Sequence, residues 1–239
     1  MAPTKPAQPD HSIVPNIGDE PRLDATLARL QRCLSTRAGF ETINLFLLYA
    51  SRLSGNAFEA VGHVSGGNVA RLAVQLQGRS KAVTSMLGDV RAFGRLWGLL
   101  GLYSAAKRVV VLRKLAEADG IMAAAQVLLQ ISFHATDNLV YLSSRNIVRL
   151  SLSTRQRLSR WCMRSWALNL IIDLGRLLLE RWRGRGEAWE RRFLRSLAWS
   201  PIALHRSVEN GPLSDVAITL LGLYPATSKM KELWESEAR

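Results

Sequence analysis

Apolar residues along this chain recur every three or four positions, and no segment alternates with the period of two that a half-buried strand requires. The pattern predicts an all-α chain. Asp24 is placed to cap a first helix over Ala25–Leu34, with Leu27, Leu30 and Leu34 on one face. Thr36–Leu53 follows, its centre Ile43–Ala50 densely apolar. Ser54–Asn68 holds four glycines and reads as a loop or weak junction.

Val69–Gly98 carries the most regular amphipathic spacing. Leu72, Leu76, Val83, Leu87, Val90, Phe93 and Trp97 mark its apolar side, with Met86 beside them. Its polar positions hold Arg71, Arg79, Lys81, Arg91 and Arg95 against one acid, Asp89. Gly78 and Gly88 each weaken the helix by about 1 kcal/mol relative to alanine. A basic face opposite leucine, phenylalanine and tryptophan is the composition of a helix lying in a bilayer interface, and also of a surface helix in a soluble bundle. On the first reading the seven apolar residues enter lipid and the five cations meet lipid phosphates. Leu87→Glu should then abolish liposome tubulation without unfolding the protein.

Ile121–Ser144 is long enough for a hydrocarbon core of roughly 30 Å. It also carries Asp137, which at the middle of a lipid-exposed span would cost about 2.5–3.5 kcal/mol. A bundle-facing span and a soluble core helix both fit. Trp166–Leu179 is too short to cross perpendicularly. Glu187–Trp199 is another amphipathic helix. Asp215–Leu223 precedes Pro225, and Lys229–Arg239 reads as a charged terminal helix. The Pro-rich stretch 1–21 reads as a disordered tail, leaving 22–239 as one helical domain.

Charge changes the picture most. Thirty-two Lys+Arg face nineteen Asp+Glu, a formal net charge of +13, which favours a polyanionic partner such as an anionic membrane or nucleic acid. Ten of the cations crowd 145–185. Seven tryptophans, with Arg181-Trp182-Arg183 flanking one of them, suit a membrane–water boundary. Cys33 and Cys162 lie far apart without metal-ligand spacing, and the four histidines are scattered, so neither a metal nor a cofactor is expected.

Catalytic signatures are absent. No phosphate loop, nucleophile elbow or zinc-protease pattern occurs. His134 and Asp137 sit at helical spacing and read as a polar pair bridging helices. His205, Ser207 and Glu209 lie too close along the chain for a triad, and the turn Asn210-Gly211-Pro212 after them suggests a helix-end role. The chain is not expected to be an enzyme.

Four segments, in order, resemble the peroxin-11 family. They are Thr36-Arg37-Ala-Gly-Phe40 leading into Leu45–Arg52, then Ser80–Gly101 with Arg91-Ala-Phe93-Gly-Arg95-Leu. Phe133–Leu142 follows around Asp137. The last is Trp199–Trp234, whose signature positions are Pro201, His205, Ser207 and Gly211. Arg206 departs from the aromatic that often follows the histidine, and Pro225 interrupts a segment that is more continuous in the family. The resemblance implies a divergent, fungal-type member: a membrane-associated helical bundle at the peroxisomal membrane that curves anionic lipid through an amphipathic helix. It implies self-association or assembly with other family members, and cooperation with dynamin-type fission machinery. Two other expectations stand beside it. One is a metabolite channel of the same membrane, lined by His134, Asp137 and Asn138. The other is a soluble basic helical nucleic-acid binder; under the leading reading no nucleic acid is bound.

Overall fold

A computed structural model describes residues 20–111, 118–182 and 189–237. Among them the chain is all-helical: α1 Glu20–Ser35, α2 Arg37–Val64, α3 Gly67–Arg95, α4 Gly98–Val111, α5 Ala118–Ser144, α6 Leu152–Trp182, α7 Trp189–Ser207 and α8 Asp215–Ser236. Residues 1–19 of the expected tail lie outside the described residues. Helix α1 starts at Glu20, not after Asp24, because Pro21 falls in the first turn, where a missing N–H costs nothing.

Helices α2 and α3 form a tight antiparallel hairpin, and its geometry explains the glycines that read as a loop. A Cβ on Gly55 would lie 3.5 Å from Ser80 Cβ, and one on Gly62 would lie 3.8 Å from Ala73 Cβ. Leu48 and Leu87 share a core cluster further along. On α3 these partners, Ala73, Ser80 and Leu87, recur every seven residues, and so do Gly62, Gly55 and Leu48 on α2. A seven-residue repeat keeps one seam facing the partner, and small residues let the backbones approach. The glycines therefore belong to a helix interior and pack against α3. The hairpin turns at Ser65-Gly66, and Gly67 takes φ +61°, a conformation glycine adopts without steric cost.

The remaining helices close a ring. Neighbours around it run α3, α2, α8, α7, α6, α5 and back to α3, with α4 packed on α5 and α1 on α2. Thr36 caps α2 by accepting from the Gly39 amide at 3.0 Å. Arg29 of α1 sits over the Trp234 ring, 4.2 Å from its centroid, and donates to the Trp234 carbonyl. Arg52 pairs with Asp215, and Asn56 donates to Thr219 Oγ1 at 3.0 Å, so α2 and α8 are pinned near one end.

Two prolines lie inside helices. Pro201 is half-buried in α7, and Pro225 is fully buried in α8. Each leaves one carbonyl a turn earlier without its usual donor. Packing on both sides outweighs that loss: Ile202 and Ala203 are inaccessible beside Pro201, and Gly222 and Ala226 are buried beside Pro225. The expected break after Leu223 is therefore not found, and α7 runs on through the signature to Ser207. Helix α6 likewise begins well before Trp166, at Leu152, and ends at Trp182, just past Leu179.

No helix among the described residues is long and apolar enough to cross a membrane. Asp137, which left the role of α5 open, pairs with Arg95 of α3: Nε lies 2.6 Å from Oδ2 and Nη2 3.4 Å from Oδ1.

Candidate functional site

Two features stand out: an apolar outer face on the α2–α3 hairpin, and a cation-lined cavity inside the ring.

At 100° per residue, Leu72, Leu76, Val83, Met86, Val90, Phe93 and Trp97 occupy one sector of α3 about 100° wide. That sector stands beside the seam formed by Ala73, Ser80 and Leu87. Leu72, Met86, Phe93 and Trp97 are each more than half exposed and Val83 is 41% exposed, while Leu76 and Val90 are half-buried. Phe40 of α2 joins Val90 and Trp97 in one shallow groove of about 220 Å³. Leu47, seven residues on and so on the same face of α2, is also exposed.

Six of the seven expected lipid-entering residues thus share a face. Leu87 does not. It is 6% exposed, in the core with Leu45, Leu48, Tyr49 and Ala226, and its neighbour Met86 takes the outer position. One residue is a rotation of 100°, enough to move a side chain from the stripe into the seam.

The cations divide similarly. Arg71 and Arg79 are exposed, Arg79 within the apolar stripe and Arg71 at its margin. Lys81 is exposed but turned away, lining a cleft with Ser51, Arg52 and Asp215. Arg91 and Arg95 are half-buried and both reach the ring interior; Arg95 is withdrawn from the stripe, while Arg91 also lines the outer groove beside Phe40, Val90 and Trp97.

The inward pair lines a cavity of about 350 Å³ to which all six ring helices contribute. Leu45 and Tyr49 come from α2, Phe133 from α5, Met163 and Trp166 from α6, and Trp199, Ile202 and Arg206 from α7; Lys229 comes from α8. Aromatic edges support its wall. Tyr49 meets Trp199 edge-on at 5.8 Å between centroids, and Trp199 meets Trp166 at 5.7 Å. Burial lowers the Arg91 pKa, with the Arg95 charge acting the same way. Burial also lowers that of Lys229, helped by Arg195 and Arg91 and opposed by Glu232 and Glu41. Burial raises Tyr49, opposed by Arg206, Arg91 and Arg52.

The signature residues are structural fastenings. His205 Nδ1 accepts from the Leu213 amide at 3.0 Å, folding the chain back after α7 and placing the ring proton on Nε2. A Cβ on Gly211 would fall 2.1 Å from that Nδ1, so only glycine fits under the ring. Ser207 is buried, donates to the Leu204 carbonyl at 2.7 Å, and accepts at its own carbonyl from Arg164 Nε at 3.2 Å. Asn138 donates to the Leu96 carbonyl at 3.3 Å, and Arg37 to the Gly94 carbonyl at 3.1 Å, so both satisfy the end of α3. His134 packs against Gly98, and burial lowers its pKa, opposed chiefly by Asp137. None of His134, Asp137 and Asn138 lines the central cavity.

The cysteines are free and buried, and burial pushes the Cys162 thiol up to about 12. Sequence reasoning missed the cavity because its lining is drawn from six helices. The available signal was angular: Arg91 and Arg95 fall on the Ser80–Leu87 side of α3, away from Arg71 and Arg79.

Fold and sites define a basic, all-helical ring protein with an exposed apolar hairpin face and a cationic interior. No family model matches the chain, and no solved structure matches it. It is 30% identical over 167 residues to a protein of Schizosaccharomyces pombe called uncharacterized protein C1F12.04c, covering 70% of this chain and 82% of that protein. The chain belongs to the family of that protein.

Proposed function

We propose that this protein binds and curves an anionic membrane from its surface, using the outer face of the α2–α3 hairpin. The observation that carries the reading is the apolar stripe from Leu72 to Trp97 with Arg79 inside it and Arg71 at its edge. Apolar side chains buried in the headgroup boundary give affinity in proportion to their area, and nearby cations add roughly 1 kcal/mol each on an anionic leaflet. Wedging side chains into one leaflet widens it and favours curvature. Phe40 and Leu47 broaden the wedge to two helices.

The resemblance to peroxin-11 supplies the setting: remodelling and proliferation of peroxisomes at their membrane. Self-association and a dynamin-type fission partner belong to the same reading. The net charge of +13 supports binding to anionic lipid.

Vesicle co-sedimentation with Met86→Glu and Phe93→Glu tests the mechanism. Both variants should keep wild-type helicity and lose most binding and tubulation of anionic vesicles. Undiminished binding would sink it. A fluorescently tagged chain tests the setting: it should mark peroxisomes and change their number or length.

A further inference from the structure

Four cationic side chains converge on the central cavity: Arg91 and Arg95 from α3, Arg206 from α7 and Lys229 from α8. Arg95 alone among them pairs with a carboxylate, that of Asp137. Arg91, Arg206 and Lys229 have neither an ion pair nor a side-chain hydrogen bond within the described residues. The nearest other acids are already shared or lie outside the lining. Glu41 pairs with Arg37, and Glu232 pairs with Arg195. Arg206 and Lys229 keep more solvent contact than Arg91 and Arg95, although the Lys229 ammonium is itself partly desolvated.

Such an arrangement opposes folding on its own. Arg91 and Arg95 are one turn apart on the same helix, where like charges repel. Partly desolvated cations without counter-charges are costly, and an anion that accepts their hydrogen bonds removes the cost. Guanidinium forks match phosphate oxygens bidentately, and lysine adds a point charge. The volume of about 350 Å³ falls within the range of small-ligand pockets. Tyr49, Phe133, Trp166 and Trp199 supply apolar wall against which the non-phosphate part of a ligand would rest.

We propose that the central cavity binds a multiply charged phosphate compound, with Arg91 and Arg95 at its floor and Arg206 and Lys229 at its mouth. The site shares Arg91 with the Phe40–Val90–Trp97 groove of the hairpin face, but it opens to the ring interior and does not depend on the membrane reading. A soluble phosphate metabolite and a phosphorylated lipid headgroup present the same chemistry.

Intrinsic tryptophan fluorescence reads binding directly, because Trp166 and Trp199 line the wall. The probes are inorganic pyrophosphate, inositol trisphosphate, and phosphatidylcholine vesicles carrying either phosphatidylinositol phosphate or an equal charge of phosphatidylserine. Wild-type protein should show saturable binding and a ligand-dependent rise in Tm. Arg91→Gln and Lys229→Gln should each weaken binding about tenfold or more, as loss of a charge-assisted hydrogen bond implies. Without ligand, Arg91→Gln should melt no lower than wild type, since it removes repulsion. Phe93→Glu should bind the soluble probes normally, which separates this site from the hairpin face. Saturation by the soluble probes would support a free ligand. Saturation only on phosphatidylinositol phosphate vesicles would support a lipid headgroup. No saturable binding, or binding that Arg91→Gln and Lys229→Gln leave intact, would overturn the proposal.

Discussion

The ring of Tyr49 lies against the bare backbone of Gly222, so close that a Cβ on that glycine would fall 2.0 Å from Tyr49 Cε1. This contact lets α8 approach α2 and positions Tyr49 to meet Trp199. The tyrosine is 4% exposed and held by the core cluster, so it has little room to yield. Gly222→Ala should therefore destabilise the fold by about 1–3 kcal/mol, the usual cost of overpacking. Gly78, inside α3 with nothing within 4 Å, is the control. Gly78→Ala should stabilise by about 0.5–1 kcal/mol through helix propensity. Chemical denaturation of the two variants checks both signs, and equal effects would refute the close-approach account.

Neighbouring residues of α3 should answer differently to the same substitution. Leu87→Glu places a carboxylate in the core beside Leu48 and Tyr49, so it should unfold or strongly destabilise the protein. Met86→Glu adds a charge at a site 58% exposed and should change stability by less than about 1 kcal/mol. Circular dichroism melts distinguish them. The expectation that Leu87→Glu would spare the fold is corrected by its burial.

That correction shows where the sequence was legible. The three-to-four spacing revealed α3 and the side on which its apolar stripe falls. It could not separate Leu87 from Met86, because both are apolar and only the partner helix decides which one is inside. Gly55 and Gly62 were misread for a related reason: glycine signals a loop locally, and its value here lies in contacts with Ala73 and Ser80. Pro225 was read as a stop, yet buried packing carries α8 through it. The inward turn of Arg91 and Arg95 was hidden by the default that arginine faces water. Their surroundings come from residues far along the chain, such as Asp137 and Lys229.

Removing the acid that pairs with Arg95 should have two effects. Asp137→Asn leaves Arg95 half-buried without its carboxylate, which should cost about 1.5–3 kcal/mol, the range for hydrogen bonds to charged groups. It also adds positive potential beside Arg91, so phosphate probes should bind more tightly and restore part of the lost stability. A double-mutant cycle with Arg95→Gln should return a favourable coupling between the two positions. Additive effects would mean that the pair contributes nothing beyond its separate residues.

Acid should loosen the α3–α4–α5 corner through His134. Desolvation holds its folded pKa below the ordinary histidine value, outweighing the opposing pull of Asp137. In the acid window the unfolded chain therefore binds more protons at this position than the folded one does. Stability from the buried neutral ring is complete above about pH 6.5, the unfolded value, and is lost as pH falls through the lower folded value. The ring cannot easily move to water, because it packs against Gly98, where a Cβ would come within 2.4 Å of ring atoms. Its Nδ1 is buried without a hydrogen-bond partner, and the pull of Asp137 and of the Arg95 backbone on the charged ring does not outweigh the cost of desolvating it. Melting temperatures measured from about pH 7.5 down to 5 should fall, and His134→Gln should flatten that fall. An unchanged slope in the variant would place the acid sensitivity elsewhere.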